Sequence, residues 1–302
     1  MGSVDDDAYL NARPALLRGV IALACVVMTT VASGEPPHPH EPELGPDIEP
    51  RGPEEPAQRY KVPMRNGMLR VPGGEFSMGY EGPPPGEPNE KPVHLVKVAP
   101  FWIDRTEVTI EEMRACVDRS ECPARPRNGP GCTFDRSDPK LPVNCVSWQL
   151  ADAYCRAVGK RLPTEAEWEF AASGGQKVRY PWGSGPPSCP VTVTLVSNHS
   201  GASCSPRGPT PVGVHPKGAS PFGVEDMAGN VEEWVADWYA DHYEVQLPQH
   251  AAASPAGPAF GVAHVLRGGG WMSRPRETRV TARSWGSLNE AGANVGFRCA
   301  KD

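Results

Sequence analysis

Apolar positions first alternate in the stretch Leu69 to Gly79, where Leu69, Val71, Phe76 and Met78 flank Pro72-Gly73-Gly74. Alternation around a Pro-Gly turn predicts a β-hairpin. A second run, Val93 to Ile103, carries Val93, Leu95, Val96, Val98, Phe101 and Ile103 and predicts another strand. The pattern then changes to helical signals. Thr109 with Glu112 three residues on forms a capping box, which predicts a helix to about Val117. Ser147 caps a second helix that runs through Tyr154 and stops at Gly159. Pro163-Thr164-Glu165-Ala166-Glu167 opens a third, ended by Ser173-Gly174. Glu165, Glu167 and Glu169 read as capping and macrodipole partners of that helix rather than as an acid/base set. Tyr180-Pro181-Trp182-Gly183 is an aromatic turn. Asp237, Asp241 and the adjacent His242 would share a face on a helix and could then ligate a metal; a solvated polar face is the simpler reading.

The end of the chain, Val265 to Cys299, has a different texture. Gly268, Gly269 and Gly270 run into Trp271, which predicts a tight buried backbone crossing. Arg267, Arg274, Arg276, Arg279, Arg283 and Arg298 recur through it. With Trp271 they could line a cleft for a peptide, a glycan or an acidic group; arginines bonded to loop carbonyls at the surface are the other reading.

Composition sharpens this picture. With 36 Pro and 32 Gly in 302 residues, the chain is expected to be loop-rich α+β with little regular structure. A net charge of −6 argues against nucleic acid as a partner. Arg13 and Arg18 precede an apolar run, Gly19 to Val31, that has the length of a signal-peptide core, followed by Ala32, Ser33 and Gly34. Residues 1–33 are therefore read as a signal peptide, and the protein as exported: periplasmic, secreted or at the cell surface. Ala22-Leu23-Ala24-Cys25 offers a lipobox-like alternative with lipidation at Cys25; an uncleaved anchor is the third option, and membrane contact is expected only through this segment. Residues 34–63 are Pro/Glu-rich and read as a disordered tether in which His38 and His40 are solvated, and 64–302 as one domain.

Export sets the cysteine chemistry. Of nine cysteines, eight remain without Cys25, enough for four disulfides. Cys116, Cys122, Cys132 and Cys145 predict two local bridges, with three connectivities open. Cys189 and Cys204 bracket a later loop. No C-x-x-C occurs, which argues against a zinc ribbon or a thioredoxin-type site.

Seven segments together resemble the formylglycine-generating enzyme family, also called the sulfatase-modifying factor family. They are V-P-G-G-E-F-S-M-G (71–79), D-R-T-E-V-T (104–109), G-K-R-L-P-T-E-A-E-W-E-F-A-A (159–172), Y-P-W-G (180–183), F-G-V-E-D-M-A-G-N-V-E-E-W (222–234), R-G-G-G-W (267–271) and N-V-G-F-R-C (294–299). The resemblance covers about 67–302 and implies a single C-type-lectin-like domain. Catalytic members oxidise a sulfatase cysteine to formylglycine with oxygen and a Cu(I) ion on two cysteines; soft thiolates suit that ion. At the first of those positions this chain has Ser273. The second falls in a stretch a few residues shorter than the family's, with Thr278 the nearest neighbour by count. No cysteine lies between Cys204 and Cys299, so copper is not expected.

The resemblance also implies a disulfide between Cys155 and Cys299. It implies a structural calcium ion on the Asp226 side chain, the Gly229 and Val231 carbonyls and the Glu233 carboxylate, with Asn198 contributing to a second calcium site; hard oxygens suit calcium. The candidate cleft is Trp271, Met272, Ser273, Arg274 and Arg283. The expected function is an exported binding or accessory module with the family fold and without its oxidase chemistry. The alternative is an enzyme of the family, generating formylglycine at an unusual site or running other oxidative chemistry. Iron-dependent sulfoxide synthases on this fold need a histidine-rich helical domain, which residues 1–66 do not supply. Ser273 as a hydrolytic nucleophile needs a base; His264 is nearest in sequence, and G-x-S-x-G is absent. HExxH, Walker A and dinucleotide fingerprints are absent as well.

Overall fold

A computed structural model describes residues 56–82, 86–189, 191–194, 208–241 and 257–302. The signal and most of the tether, with Cys25, His38 and His40, lie outside the described residues, as do Asn198, Cys204 and His242. The chain divides into a unit Met1–Asp47 and a unit Ile48–Asp302. All that follows concerns the second.

The predicted hairpin at 69–79 does not form. β1 (Met64–Arg65) and β2 (Met68–Val71) pair with each other, and β2 then pairs antiparallel with β5 (Phe101–Asp104). β3 (Gly74–Met78) pairs instead with β4 (His94–Val98). The two alternating runs are thus each other's partners. One register carries through both pairings: Val71 faces Phe101, and Gly74 faces Val98. The interruption falls where Pro72-Gly73 passes Ala99-Pro100. Proline has no N–H to give a ladder. Gly73 has φ 73° there, and a Cβ on it would stand 2.5 Å from the Val98 carbonyl oxygen. The single strand expected over Val93–Ile103 is broken into β4 and β5 for the same reason.

The helices follow their caps. Thr109 accepts from the Glu112 N–H at the start of α1 (Ile110–Asp118), and Ser147 accepts from Leu150 N–H ahead of α2 (Trp148–Ala157). α3 (Glu165–Ser173) begins on Thr164 with a reciprocal Glu167 cap and ends at Gly174, left-handed at φ 66°. A four-stranded sheet in the order β8-β7-β6-β9 completes the frame: β6 (Glu232–Trp238), β7 (Ala263–Arg267), β8 (Arg283–Ser287) and β9 (Val295–Phe297), with β9 parallel to β6. β10 (Ala300–Lys301) closes the first sheet against β5. Asp237 therefore sits on a strand and not on a helix; it is buried and accepts the Glu165 N–H at 2.8 Å. That removes the shared face with Asp241 that a metal role needed.

Every residue of α3 is buried. Trp168 lies in one apolar cluster with Phe76, Phe170 and Phe222; Trp234 lies in another with Tyr154, Leu162 and Phe297. The tether's last residues also join the domain. Ala57 N–H donates to Trp182 O, Tyr60 N–H to Pro221 O, and the Tyr60 ring stacks on Phe222 at 5.2 Å. Packing therefore begins by Pro56, ahead of the composition break at 63/64. An aromatic ring there finds apolar surface that Pro/Glu content did not reveal.

Disulfides join Cys116 to Cys122, Cys132 to Cys145, and Cys155 to Cys299, the last across 144 residues. Cys189 is also disulfide-bonded.

Candidate functional site

A helix with no exposed face must neutralise its charges inside the protein. Glu167 does so partly as a cap and partly with Arg161, at 2.7 and 2.8 Å. Glu165 and Glu169 do not act as simple macrodipole partners. Glu169 pairs with Arg267 Nη2 at 2.6 Å; Glu165 pairs with Arg267 Nη1 at 3.2 Å and with Arg283 Nε at 2.6 Å. Arg267 also donates to the Val280 and Thr281 carbonyls and lies over the Trp168 ring at 5.2 Å. The helix thus pins the strand end that leads into the glycine run.

The same economy holds across the C-terminal arginines. Arg298, fully buried, forks onto Glu233 at 2.6 and 2.7 Å and donates to three carbonyls, those of Asp104, Arg105 and Glu225. Arg279 is bidentate on Glu90 at 2.6 and 2.7 Å, and Thr281 donates to the same carboxylate. Of the six arginines in this segment only Arg274 and Arg276 are exposed. Both sequence readings, a cationic cleft and surface arginines on loop carbonyls, give way to buried arginine–glutamate pairs. Glu90 carried no signal in sequence because it stood in a polar loop.

The glycine run is the tight crossing its sequence predicts. A Cβ on Gly268 would stand 3.0 Å from the Trp168 ring, and one on Gly270 only 2.3 Å from Asn294 Oδ1. A Cβ on Gly269 would stand 3.1 Å from Ser273 Cβ and 3.0 Å from Thr278 Cγ2. Gly269 therefore brings Ser273 and Thr278 around one point, placing two hydroxyls where the resemblance implies two thiolates. The Ser273 Oγ accepts from Gly270 N–H at 3.0 Å and from Asn294 Nδ2 at 3.4 Å. Thr278 Oγ1 donates to Pro275 O within a 3-10 turn, Pro275–Thr278. Every described cysteine is disulfide-bonded. Hydroxyls are poor Cu(I) ligands, so the residues at this point do not fit copper.

A cavity of about 160 Å³ opens beside Ser273. Ser273 and Arg283 line it; Trp271, Met272 and Arg274 do not. Trp271 is held away by its indole N–H on Ala293 O, and Met272 is half-exposed. Across the cavity stands Glu232, whose burial pushes its carboxyl up to about 7; Ser284 opposes this by hydrogen bonding, while Glu277 and Glu290 add repulsion. Sequence reading passed over Glu232 as one letter of a family motif. His264 is remote from this chemistry. It is stacked between Trp148 and Trp238, at 3.7 and 3.9 Å, with its Nδ1 on Asp237 O and its basicity lowered to about 4, chiefly by burial.

The calcium set needs one correction. Glu233 has both carboxylate oxygens on Arg298 and also accepts the Trp168 indole N–H at 2.9 Å, so it does not fit as a calcium ligand. Glu107 was not among the candidates. It is buried, its Oε1 accepts from Asn230 Nδ2 at 3.0 Å, and its Oε2 has no hydrogen-bond partner. Burial, with repulsion from Asp226 next, holds its carboxyl well above the usual range; burial also raises Asp226. Among the described residues no group of three or more His, Cys, Asp or Glu is placed to hold a metal ion. Glu107 and Asp226 are two, and the unpartnered oxygen of Glu107 fits a hard cation where Glu233 does not.

Comparison with known proteins gives this geometry its context. The chain is 33% identical to a formylglycine-generating enzyme of Thermomonospora curvata, over 85% of this chain and 97% of that one. It is also 33% identical to the inactive C-alpha-formylglycine-generating enzyme 2 of Mus musculus, over 77% of this chain and 85% of that one. Among solved structures, PvdO from Pseudomonas aeruginosa superposes with a TM-score of 0.64 at 28% identity, covering 78% of this chain and 94% of that one. Residues 53–302 match the sulfatase-modifying factor enzyme 1-like domain, and the chain belongs to that family, the family of the formylglycine-generating enzymes.

Proposed function

We propose that this protein is an exported binding or accessory module that keeps the formylglycine-generating fold without its oxidase chemistry. One observation carries the reading: Ser273 and Thr278 meet around Gly269 where two thiolates are needed, and every described cysteine is spent in a disulfide. A cysteine–peptide of the sulfatase type, incubated with Cu(I) and oxygen, is expected to yield no aldehyde above a heat-denatured control when read by mass spectrometry. Aldehyde formation by the intact protein would overturn the proposal in favour of the second reading. That reading, an enzyme of the family with an unusual site, draws its support from the 33% identity to a formylglycine-generating enzyme.

A structural calcium ion belongs to the same proposal, drawn by Glu107 and Asp226 with carbonyls of the turn at Gly229 and Val231. When bound it would neutralise two buried carboxylates, and it takes no part in chemistry here. Calcium at about 100 times its dissociation constant is expected to stabilise by about 2.7 kcal/mol, or roughly 5–10 °C in Tm for a domain this size. The Glu107→Gln variant is expected to melt higher than the parent in EDTA, having lost an uncompensated carboxylate, and to lose the calcium response. An equal Tm in calcium and in EDTA for the parent protein would remove the ion.

A further inference from the structure

We propose that the cavity beside Ser273 is a receptor for an organic cation, the ammonium or guanidinium end of a ligand, with Glu232 as its counter-ion. The inference deepens the binding-module reading of the same site and rests on it. It starts from a count of which charges are free. Two of the three arginines on the cavity wall are already neutralised. Arg279 is bidentate on Glu90, and Arg283 holds Glu165 through Nε and Nη2, at 2.6 and 2.9 Å, and gives Nη1 to the Asn89 and Ala240 carbonyls. Their guanidinium groups face inward to α3 and to Glu90, so an acidic ligand would find little uncompensated positive charge.

The negative side is not balanced in the same way. Glu87, Glu232 and Glu277 line the cavity, and the remaining cation on it is Arg276, exposed and 3.9 Å from Glu277. Among the described ion pairs none reaches Glu232. Its polar neighbour is the Ser284 hydroxyl, and its backbone N–H is taken by Asn294 O. A carboxylate removed from water without a cation is costly, and such a group responds by holding its proton. The raised Glu232 carboxyl is that response. An arriving ammonium or guanidinium would meet one desolvated carboxylate at the wall, a second at Glu277 on the rim, and the Ser273 hydroxyl oxygen between them. The volume suits such a head group with a short stem, and not a sugar ring with its hydroxyl shell.

Cation binding and deprotonation of Glu232 are then coupled. The groups facing Glu232 are Ser284 and Glu290 from β8 and its following turn, Glu277 and Arg276 from the 3-10 turn, and Glu87 from the opposite rim. None of these others has a resolved shift, so the pH response of binding belongs to Glu232. Below pH 7 the site is increasingly protonated and the cation must displace a proton. Above it the carboxylate is available.

The test uses the full domain with its disulfides intact, titrated with n-butylammonium and, separately, with N-acetyl-lysine methylamide, and read as amide shifts of Ser273, Ala282 and Ser284 by NMR. These two probes distinguish a free amine from a peptide side chain; saturable binding of either one supports the proposal. Butyrate and n-butanol are the anionic and neutral controls. At pH 8, Glu232→Gln is expected to weaken cation binding about tenfold, and Arg276→Gln, which removes the competing cation, to tighten it about threefold. Tenfold at one carboxylate corresponds to 1.4 kcal/mol, ordinary for a charge-assisted contact. Because both residues contact solvent, thermal melting of each variant checks that folding is unaffected. Butyrate binding as tightly as n-butylammonium, or an unchanged affinity in Glu232→Gln, would overturn the assignment. A protein that forms aldehyde yet binds cations through Glu232 would refute the accessory reading alone. One that forms no aldehyde and binds no cation would refute this inference alone.

Discussion

Replacing Arg298 by methionine is expected to lower the unfolding free energy by about 3–5 kcal/mol, the usual effect of removing one partner of a buried ion pair. For a domain of this size that is roughly 6–20 °C in Tm, readable by calorimetry or circular dichroism. Three consequences combine. Glu233 is left as an unpaired carboxylate with almost no exposure. The carbonyls of Asp104, Arg105 and Glu225 each lose a donor. Glu107 and Asp226, whose charges Arg298 partly offsets, become more strongly uncompensated. The variant Glu233→Gln in the same background separates these effects. It removes the stranded charge and should recover part of the loss, while the three carbonyls stay unsatisfied. A loss below about 1 kcal/mol in Arg298→Met would mean that the buried network contributes nothing net, as some buried ion pairs do.

The arginine network also marks where sequence reasoning stopped short. Capping boxes at Thr109 and Thr164 and the cap at Ser147 were legible because they are local: three residues apart, with known geometry. The crossing at Gly268–Gly270 was legible because three adjacent glycines have few other uses. Strand partners were not. β2 to β5 are set by an unbroken register between two distant runs, and a Pro-Gly pair looks the same whether it closes a hairpin or lets a strand change sheets. Charge partners were equally hidden. Glu165 and Arg267 lie 102 positions apart and Glu90 and Arg279 lie 189 apart, and nothing in either local pattern announces the other. A helix reading could see that Glu165 and Glu169 stand near an N-terminus. It could not see that the whole helix would be buried, and it is burial that demands the arginines.

The candidate site shows the same division. Ser273 was identified by its place after Gly-Gly-Gly-Trp-Met, and Thr278 by count. That the two converge around Gly269 needed coordinates. Glu107, Glu232 and Asn294 were present in quoted segments but drew no notice, since a glutamate in a motif reads the same whether it is solvated, ion-paired or stranded. Only the environment separates Glu233, which Arg298 neutralises, from its neighbour Glu232, which has no cation. On a strand successive side chains point to opposite faces, so these two adjacent residues of β6 meet opposite surroundings.

The long disulfide supplies the second large effect. Converting Cys155 and Cys299 together to alanine is expected to destabilise far more than the same change at Cys116 and Cys122. In the chain-entropy account, a cross-link over 144 residues contributes about 5 kcal/mol and one over 6 residues about 2 kcal/mol. Both half-cystines of the long bridge are fully buried. Cys299 follows Arg298, and its N–H donates to Asp104 Oδ2, whose other oxygen holds Lys160 at 2.6 Å. Releasing the bridge therefore frees α2 from the strand that carries Arg298, and the loss includes part of the ion-pair network. Urea unfolding of the two double variants, under oxidising conditions with the other bridges intact, gives the comparison. The entropic account expects the difference to appear with a raised m-value in the long-bridge variant, because its denatured chain exposes more surface. Equal losses and equal m-values in the two variants would show that local packing around each bridge, and not the closed loop, sets its contribution.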